Sequence, residues 1–211
     1  MRETEQEKLW KSDFGTAYLF RNFYPPSLLD HRYTQNWGTS RSSMNDEFIP
    51  KDVNKILEVG CGDGNQLFLL QKSGYENLYG LELYPRAIEE AYYLYRKLNI
   101  IQGTVFDIPF KDGYFDYVFT SGLLIHIHPK DLSRAMKEVY RVSNKYIAGF
   151  EYFNEKQEEI EYRGHKNICW KNDFAILYTK QFPKLRLLKE RKYKYTKNEN
   201  RDTMFLLEKD A

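Results

Sequence analysis

Cysteine is scarce. Only Cys61 and Cys169 occur among 211 residues, too few for a disulfide framework and without the spacing of metal ligands. A reducing, cytoplasmic setting and no metal are therefore expected. No apolar run approaches the roughly 18 residues that a membrane-spanning helix needs. The stretch Met1-Arg-Glu-Thr-Glu-Gln-Glu-Lys8 is charged with no apolar segment behind it, so no secretory signal is expected. Excess charge is also missing: 32 basic against 30 acidic side chains give +2. That balance does not suggest a phosphate-backbone binder, and no nucleic-acid or membrane partner is expected. The chain has no internal repeat and no low-complexity linker. Its one excess is aromatic, with 18 Tyr, 14 Phe and 3 Trp. With 42% hydrophobic and 29% charged residues, it reads as an ordinary globular chain able to bury one core.

Residues 1–50 are polar, broken by Pro25-Pro26, and read as a short helical extension, expected as a lid over the site, in front of a domain over 51–211. From there the pattern turns regular. Strands are expected at 55–59, 77–83, 99–105, 115–120 and 145–150, with two more at 185–195 and 203–207. Helices are expected at 65–73, 87–98, 129–142 and 171–181. Strands alternating with helices of this length predict an α/β fold, a three-layer Rossmann-like sheet of about seven mostly parallel strands. Such sheets bind ligands beyond the carboxyl ends of their strands.

The first strand end carries Glu58-Val-Gly60-Cys61-Gly62-Asp-Gly64-Asn65. Glycines let the backbone turn tightly and approach a ligand, and the helix behind them offers unpaired N–H groups. Glu82, followed by Leu83, ends the second strand, where an acid can accept from a ribose diol. A dinucleotide loop expects G-x-G-x-x-G/A, but Asn65 occupies the third position. The pattern E-x-G-x-G-x-G is instead similar to the first motif of class I S-adenosylmethionine-dependent methyltransferases. That resemblance implies S-adenosylmethionine as cofactor. It also implies an adenine cup, with Asp107 accepting from the ring amine and Phe106 or Ile108 over its face, and backbone from Thr120 beside the methionine part. The Asp/Asn-Pro-Pro-aromatic motif of amino-directed nucleic-acid methyltransferases is absent; Tyr24-Pro25-Pro26-Ser27 lies far upstream.

Three blocks resemble a narrower group, the pseudaminic acid biosynthesis-associated methylases. The first is Trp10-Lys-Ser-Asp-Phe14-Gly15-Thr-Ala-Tyr18-Leu-Phe-Arg21-Asn22. The second is Gly122-Leu-Leu-Ile-His126-Ile-His128-Pro129, with His where the group usually has Asn at 128. The third combines Glu151-Tyr152-Phe-Asn154, Tyr162-Arg163-Gly-His165, Asp173-Phe-Ala175 and Phe205-Leu-Leu-Glu-Lys209. The resemblance implies methylation of a small anionic sugar of the nonulosonic (pseudaminic or sialic-like) class, at O or N. Tyr18, Arg21, Asn22, Tyr152 and Arg163 are its candidate substrate contacts. An Arg would pair a sugar carboxylate in a planar fork. His126, and after it His165, are the expected bases, since an imidazole takes up a proton near neutral pH. A methyltransferase of another small metabolite, an NAD-dependent oxidoreductase and a non-catalytic cofactor-binding subunit are the alternatives. Oligomeric state is not legible.

Overall fold

A computed structural model describes residues 3–23, 25–95 and 98–210. Tyr24 of the Pro-Pro segment, and Arg96 and Lys97 of the helix expected at 87–98, lie outside the described residues. Four helices come first: α1 (Glu5–Trp10), α2 (Asp13–Asn22), α3 (Leu29–Trp37) and α4 (Arg41–Phe48). Polar residues start three of them. Thr4 closes a capping box with Glu7, and the Ser12 and Ser40 hydroxyls accept from the N–H groups of Phe14 and Ser43.

The alternating part runs β1 (Lys55–Val59), α5 (Asn65–Lys72), β2 (Asn77–Glu82), α6 (Pro85–Leu94), β3 (Asn99–Gln102), β4 (Phe115–Ser121), α7 (Pro129–Val142) and β5 (Ser143–Tyr152). A two-stranded ribbon follows, β6 (Glu158–Glu159) with β7 (Trp170–Lys171), then α8 (Phe174–Gln181), β8 (Leu185–Lys194) and β9 (Arg201–Lys209). Seven strands form one sheet in the order β3-β2-β1-β4-β5-β9-β8. The first five are parallel; β9 inserts antiparallel beside β5, and β8 pairs antiparallel on the outer side of β9. The strand order reverses between β1 and β4, and ligands in such sheets sit at that switch point.

The central strands are buried on both faces, which is why β1 and β4 are apolar runs without alternation. One core joins α3 and α4 to one face through Tyr33, Met44 and Phe48; the other packs α7 and α8 on the opposite face. β8 is an edge strand exposed over most of its length and rich in Lys and Arg. Its Arg191 pairs with Glu47 of α4 at 2.8 Å. The expected strand at 99–105 stops at Gln102, because residues 104–113 leave the sheet as a loop. Arg141 of α7 holds that loop, donating to the carbonyls of Ile108 and Phe110 at 2.7 Å each, while Glu138 accepts the Ile108 N–H at 3.0 Å.

Beside β9, Gly149 of β5 makes room for the Phe205 ring, since a Cβ there would lie 2.4 Å from the ring. Overpacking of this kind costs ~1–3 kcal/mol. Gly149→Ala is expected to lower the urea midpoint, with Phe205→Leu in the same chain giving part of it back. An unchanged midpoint would contradict this packing.

Candidate active site

Every long connection at the carboxyl edge of the parallel strands has free backbone N–H groups, and carboxylates catch them. Glu82, at the end of β2, accepts the Gly62 N–H and the Tyr84 N–H, both at 2.8 Å, so it ties the loop after β1 to the loop after β2. Glu151, in β5, accepts from Leu123 and Leu124 at 3.2 Å and from Ile125 at 3.4 Å, holding the loop after β4. The glycine loop turns through left-handed backbone at Gly60, Gly62 and Gly64 (φ 75°, 55° and 77°). A side chain at Gly60 would also strike Leu123 at 2.9 Å. Asn65 opens α5, and both ends of its amide are used: its Nδ2 donates to Asp63 and its Oδ1 accepts from Tyr95, each at 2.6 Å.

These loops wall a cavity of about 470 Å³ at the switch point. Among the expected cofactor residues, Glu58, Gly60, Cys61, Gly62, Asn65, Glu82 and Leu83 line it. Thr120 is buried just behind the wall, which Ser121 forms. Asp107 is exposed and off the wall; there the lining is Gly103, Thr104, Val105 and Phe106. Ile108 is buried in the second core. Among the expected substrate residues, Tyr18, Asn22, Tyr152 and Arg163 line the cavity, whereas Arg21 is exposed at the end of α2 and outside it.

His126 is buried on the wall, and its Nδ1 lies 2.7 Å from the Ile168 carbonyl, which fixes the N–H tautomer on that side. Burial pushes its pKa down to about 4. Trp10 and Tyr162 meet it edge-on, with ring centres at 4.8 and 5.1 Å. His165 is exposed, lies off the wall and packs against Phe14 at 5.1 Å. It closes a tight turn with Tyr162, whose two backbone bonds measure 2.9 and 3.1 Å. Arg163 and Gly164, the central residues, have φ 57° and 79°, the left-handed pair of a type I′ hairpin turn. Arg163 is thus a long cationic side chain where Asn or Gly is the easier residue.

The cavity collects acid. Burial raises the pKa of Glu58 and Glu82, and raises Asp63 to about 6. One Glu58 oxygen, Oε2, is buried with no hydrogen-bond partner. The wall also includes Asp202, Tyr195, Trp37 and Tyr33, which the sequence reading passed over. A lone acid opening the last strand was the available signal for Asp202. Among the described residues, no group of three or more His, Cys, Asp or Glu could hold a metal ion. No helix among them is long and apolar enough to cross a membrane.

Residues 57–145 match the family described as "Methyltransferase domain". Over 88 residues the chain is 34% identical to an uncharacterized methyltransferase of Synechocystis, covering 42% of this chain and 41% of that one. Over 158 residues it is 31% identical to the chloroplastic tocopherol O-methyltransferase of Arabidopsis thaliana, covering 66% and 44%. The chain spans less than half the length of either relative. The fold is similar to that of the solved SAM-dependent methyltransferase of Methanosarcina mazei, with TM-score 0.66 at 18% identity over 79% of this chain and 96% of that one.

Carboxyls with raised pKa make stability depend on pH in a definite sense. Glu151 stands at about 7, raised by burial against its backbone N–H bonds, and Asp202 is raised to about 7 by burial and the Glu151 charge. Between an unfolded carboxyl's pKa and these values the folded chain holds more protons, so stability falls as pH rises. His126 acts oppositely: it holds fewer protons when folded, and its contribution grows from about 4 up to its unfolded pKa of about 6.5. Glu58, Asp63, Glu82, Glu151 and Asp202, five raised carboxyls, against one histidine give a net fall. Thermal unfolding is expected at a higher temperature near about pH 5.5 than near about pH 8; the reverse order would show that these carboxyls ionise freely when folded.

Proposed function

We propose that this chain transfers the methyl group of S-adenosylmethionine to a small anionic sugar of the nonulosonic class, pseudaminic or sialic-like. The observation that carries the methyl transfer is the acid-lined glycine cradle at the sheet's switch point. A buried carboxylate without a partner calls for a cation. Glu58, Asp63 and Glu82 stand around the cavity beside the loop, and Oε2 of Glu58 has no hydrogen-bond partner. That charge suits a cofactor with an ammonium and a sulfonium. It repels the pyrophosphate of a dinucleotide, which weighs against the oxidoreductase alternative.

When bound, the cofactor supplies an electrophilic methyl on a sulfonium. Glu82 has lone pairs left after its two backbone bonds to receive hydroxyl donors, since a carboxylate has about four acceptor sites. Gly62 leaves open space where a side chain would stand. Val105 and Phe106 offer the apolar wall for a ring, Phe106 being the one of the two expected ring covers that lines the cavity. On the acceptor side, Arg163 supports the anionic sugar by presenting a guanidinium to the cavity from its strained turn, with Tyr18, Asn22 and Tyr152 around it. His126, neutral at pH 7 with Nδ1–H tied to Ile168, keeps Nε2 as the ring's acceptor for a substrate hydroxyl. Alignment of the acceptor is the domain's first contribution to rate. A second reading, another small-molecule acceptor with an apolar ring, is favoured by Trp10 and Tyr162 beside His126.

Labelled S-adenosylmethionine tests both. The acceptors are free and nucleotide-activated nonulosonic acids, nucleic acid and a small-metabolite extract. Labelled nonulosonic product is expected, lost in Glu82→Ala, whose S-adenosylhomocysteine affinity by calorimetry should fall at least ~10-fold. Label only in the extract would replace the sugar with another metabolite. Neither transfer nor S-adenosylhomocysteine binding in the wild-type protein would overturn the methyltransferase reading.

A further inference from the structure

A second polar cluster lies in the same cavity, at the carboxyl end of β5. β9 runs antiparallel there, so its first residues stand beside the last of β5, and Asp202 pairs in register with Tyr152 on one side and Tyr193 on the other. Asp202 is 2% exposed and lines the cavity with Tyr152 and Tyr195. Its two oxygens differ. Oδ2 accepts from the Tyr195 hydroxyl at 3.0 Å, whereas Oδ1 is buried with no hydrogen-bond partner. A buried carboxylate left half-satisfied costs free energy unless something from the cavity completes it.

The cluster is held rigidly. Thr196, next to Tyr195, docks on the end of α3: its N–H donates to the Asn36 carbonyl at 2.8 Å and its hydroxyl to the Gln35 carbonyl at 2.6 Å. The Tyr195 N–H donates to the Asn200 carbonyl at 2.9 Å, and its ring lies 5.0 Å from Trp37. The extension therefore fixes the angle from which Tyr195 meets Asp202, as a positioning residue should.

We propose that Asp202, oriented by Tyr195, is the group that takes the proton from the methyl acceptor. The inference rests on the methyltransferase reading above and adds a residue to it. The acceptor oxygen or nitrogen forms its bond to the methyl carbon, the carbon–sulfur bond breaks with its electron pair left on sulfur, and the acceptor's proton passes to Oδ1. The ionised carboxylate becomes a neutral acid that later releases the proton to water, so no further reactant is needed. Asp202 suits this role in acidity, because a base works best near the operating pH. Burial and Glu151 raise it to about 7, against the pull of the Tyr195 hydroxyl, the Trp37 indole and Lys171. Tyr33, Tyr152 and Tyr195 also face it and stay protonated, since burial raises each of them. His126 at about 4 is a much weaker proton sink.

Labelled S-adenosylmethionine with the small-metabolite extract as probe tests this without knowing the acceptor. The wild-type rate is expected to rise with pH through about 7, as Asp202 ionises. Asp202→Asn should cut it by ~10²–10⁴-fold and abolish that limb, with S-adenosylhomocysteine binding unchanged by calorimetry. Tyr195→Phe removes a bond that favours the ionised form, so it should keep activity and move the limb upward; it also stands in if Asp202→Asn does not fold. A wild-type limb that survives Asp202→Asn within a few-fold of full rate, or an unmoved limb in Tyr195→Phe, would overturn the proposal. Failure of the wild-type protein to transfer label at all would instead overturn the reading on which it rests.

Discussion

A parallel sheet leaves one problem at its carboxyl edge: each strand runs out into a loop whose N–H groups have no ladder to join. Here the answer is a set of carboxylates on neighbouring elements. Glu82 of β2 catches the loop after β1 and the start of its own, Glu151 of β5 catches the loop after β4, and Glu138 of α7 catches the loop after β3. A carboxylate can receive several N–H donors at once, and such bonds are stronger than neutral ones. At Glu82 the two tasks coincide, since it ties two loops together and also lines the cavity beside Glu58 and Asp63.

Burial raises the pKa of Glu82 and Glu151 despite their hydrogen bonds, while the Arg141 guanidinium lowers that of Glu138. Desolvation outweighs the donors at Glu82 and Glu151. The site is pre-organised around charge it does not fully neutralise, a condition that favours binding a cation. Arg41 answers part of it from behind. It is 2% exposed, stacks over Tyr33 and Phe150, and its charge offsets some of the burial of Glu58.

Most of the sheet was legible because central parallel strands are mostly apolar and the helices between them carry stop signals such as Gly74. The glycine loop was legible for a related reason: three left-handed backbone positions in five residues need glycine. Residues 1–50 were less so. Their four helices are polar and short, held by contacts such as Tyr33 and Phe48 with the sheet, which no local pattern reveals. The boundary at Gln102 was hidden because Arg141, 39 positions away in the sequence, is what pulls the following loop out of the sheet. Within the site, Glu82 followed from its spacing after the loop. Asp107 shows the opposite case: the adenine-cup expectation placed it at a strand end, but the backbone turns it outward and leaves Val105 and Phe106 on the wall. Asp202 left only the signal of a lone acid opening β9, because a strand buried on both faces does not tell what each residue meets.

The charge on β8 has a consequence of another kind. A sheet's last strand offers a row of unused N–H and C=O groups that any extended chain can zip onto. In β8 the exposed positions are Leu187 and Leu188 together with the charged Arg186, Lys189, Glu190, Arg191, Lys192 and Lys194, so a second strand laid alongside would have to bring these charged side chains together. Like charges set opposite one another are unfavourable in a ladder. A basic run thus ends the sheet and opposes strand-by-strand aggregation at its long outer edge.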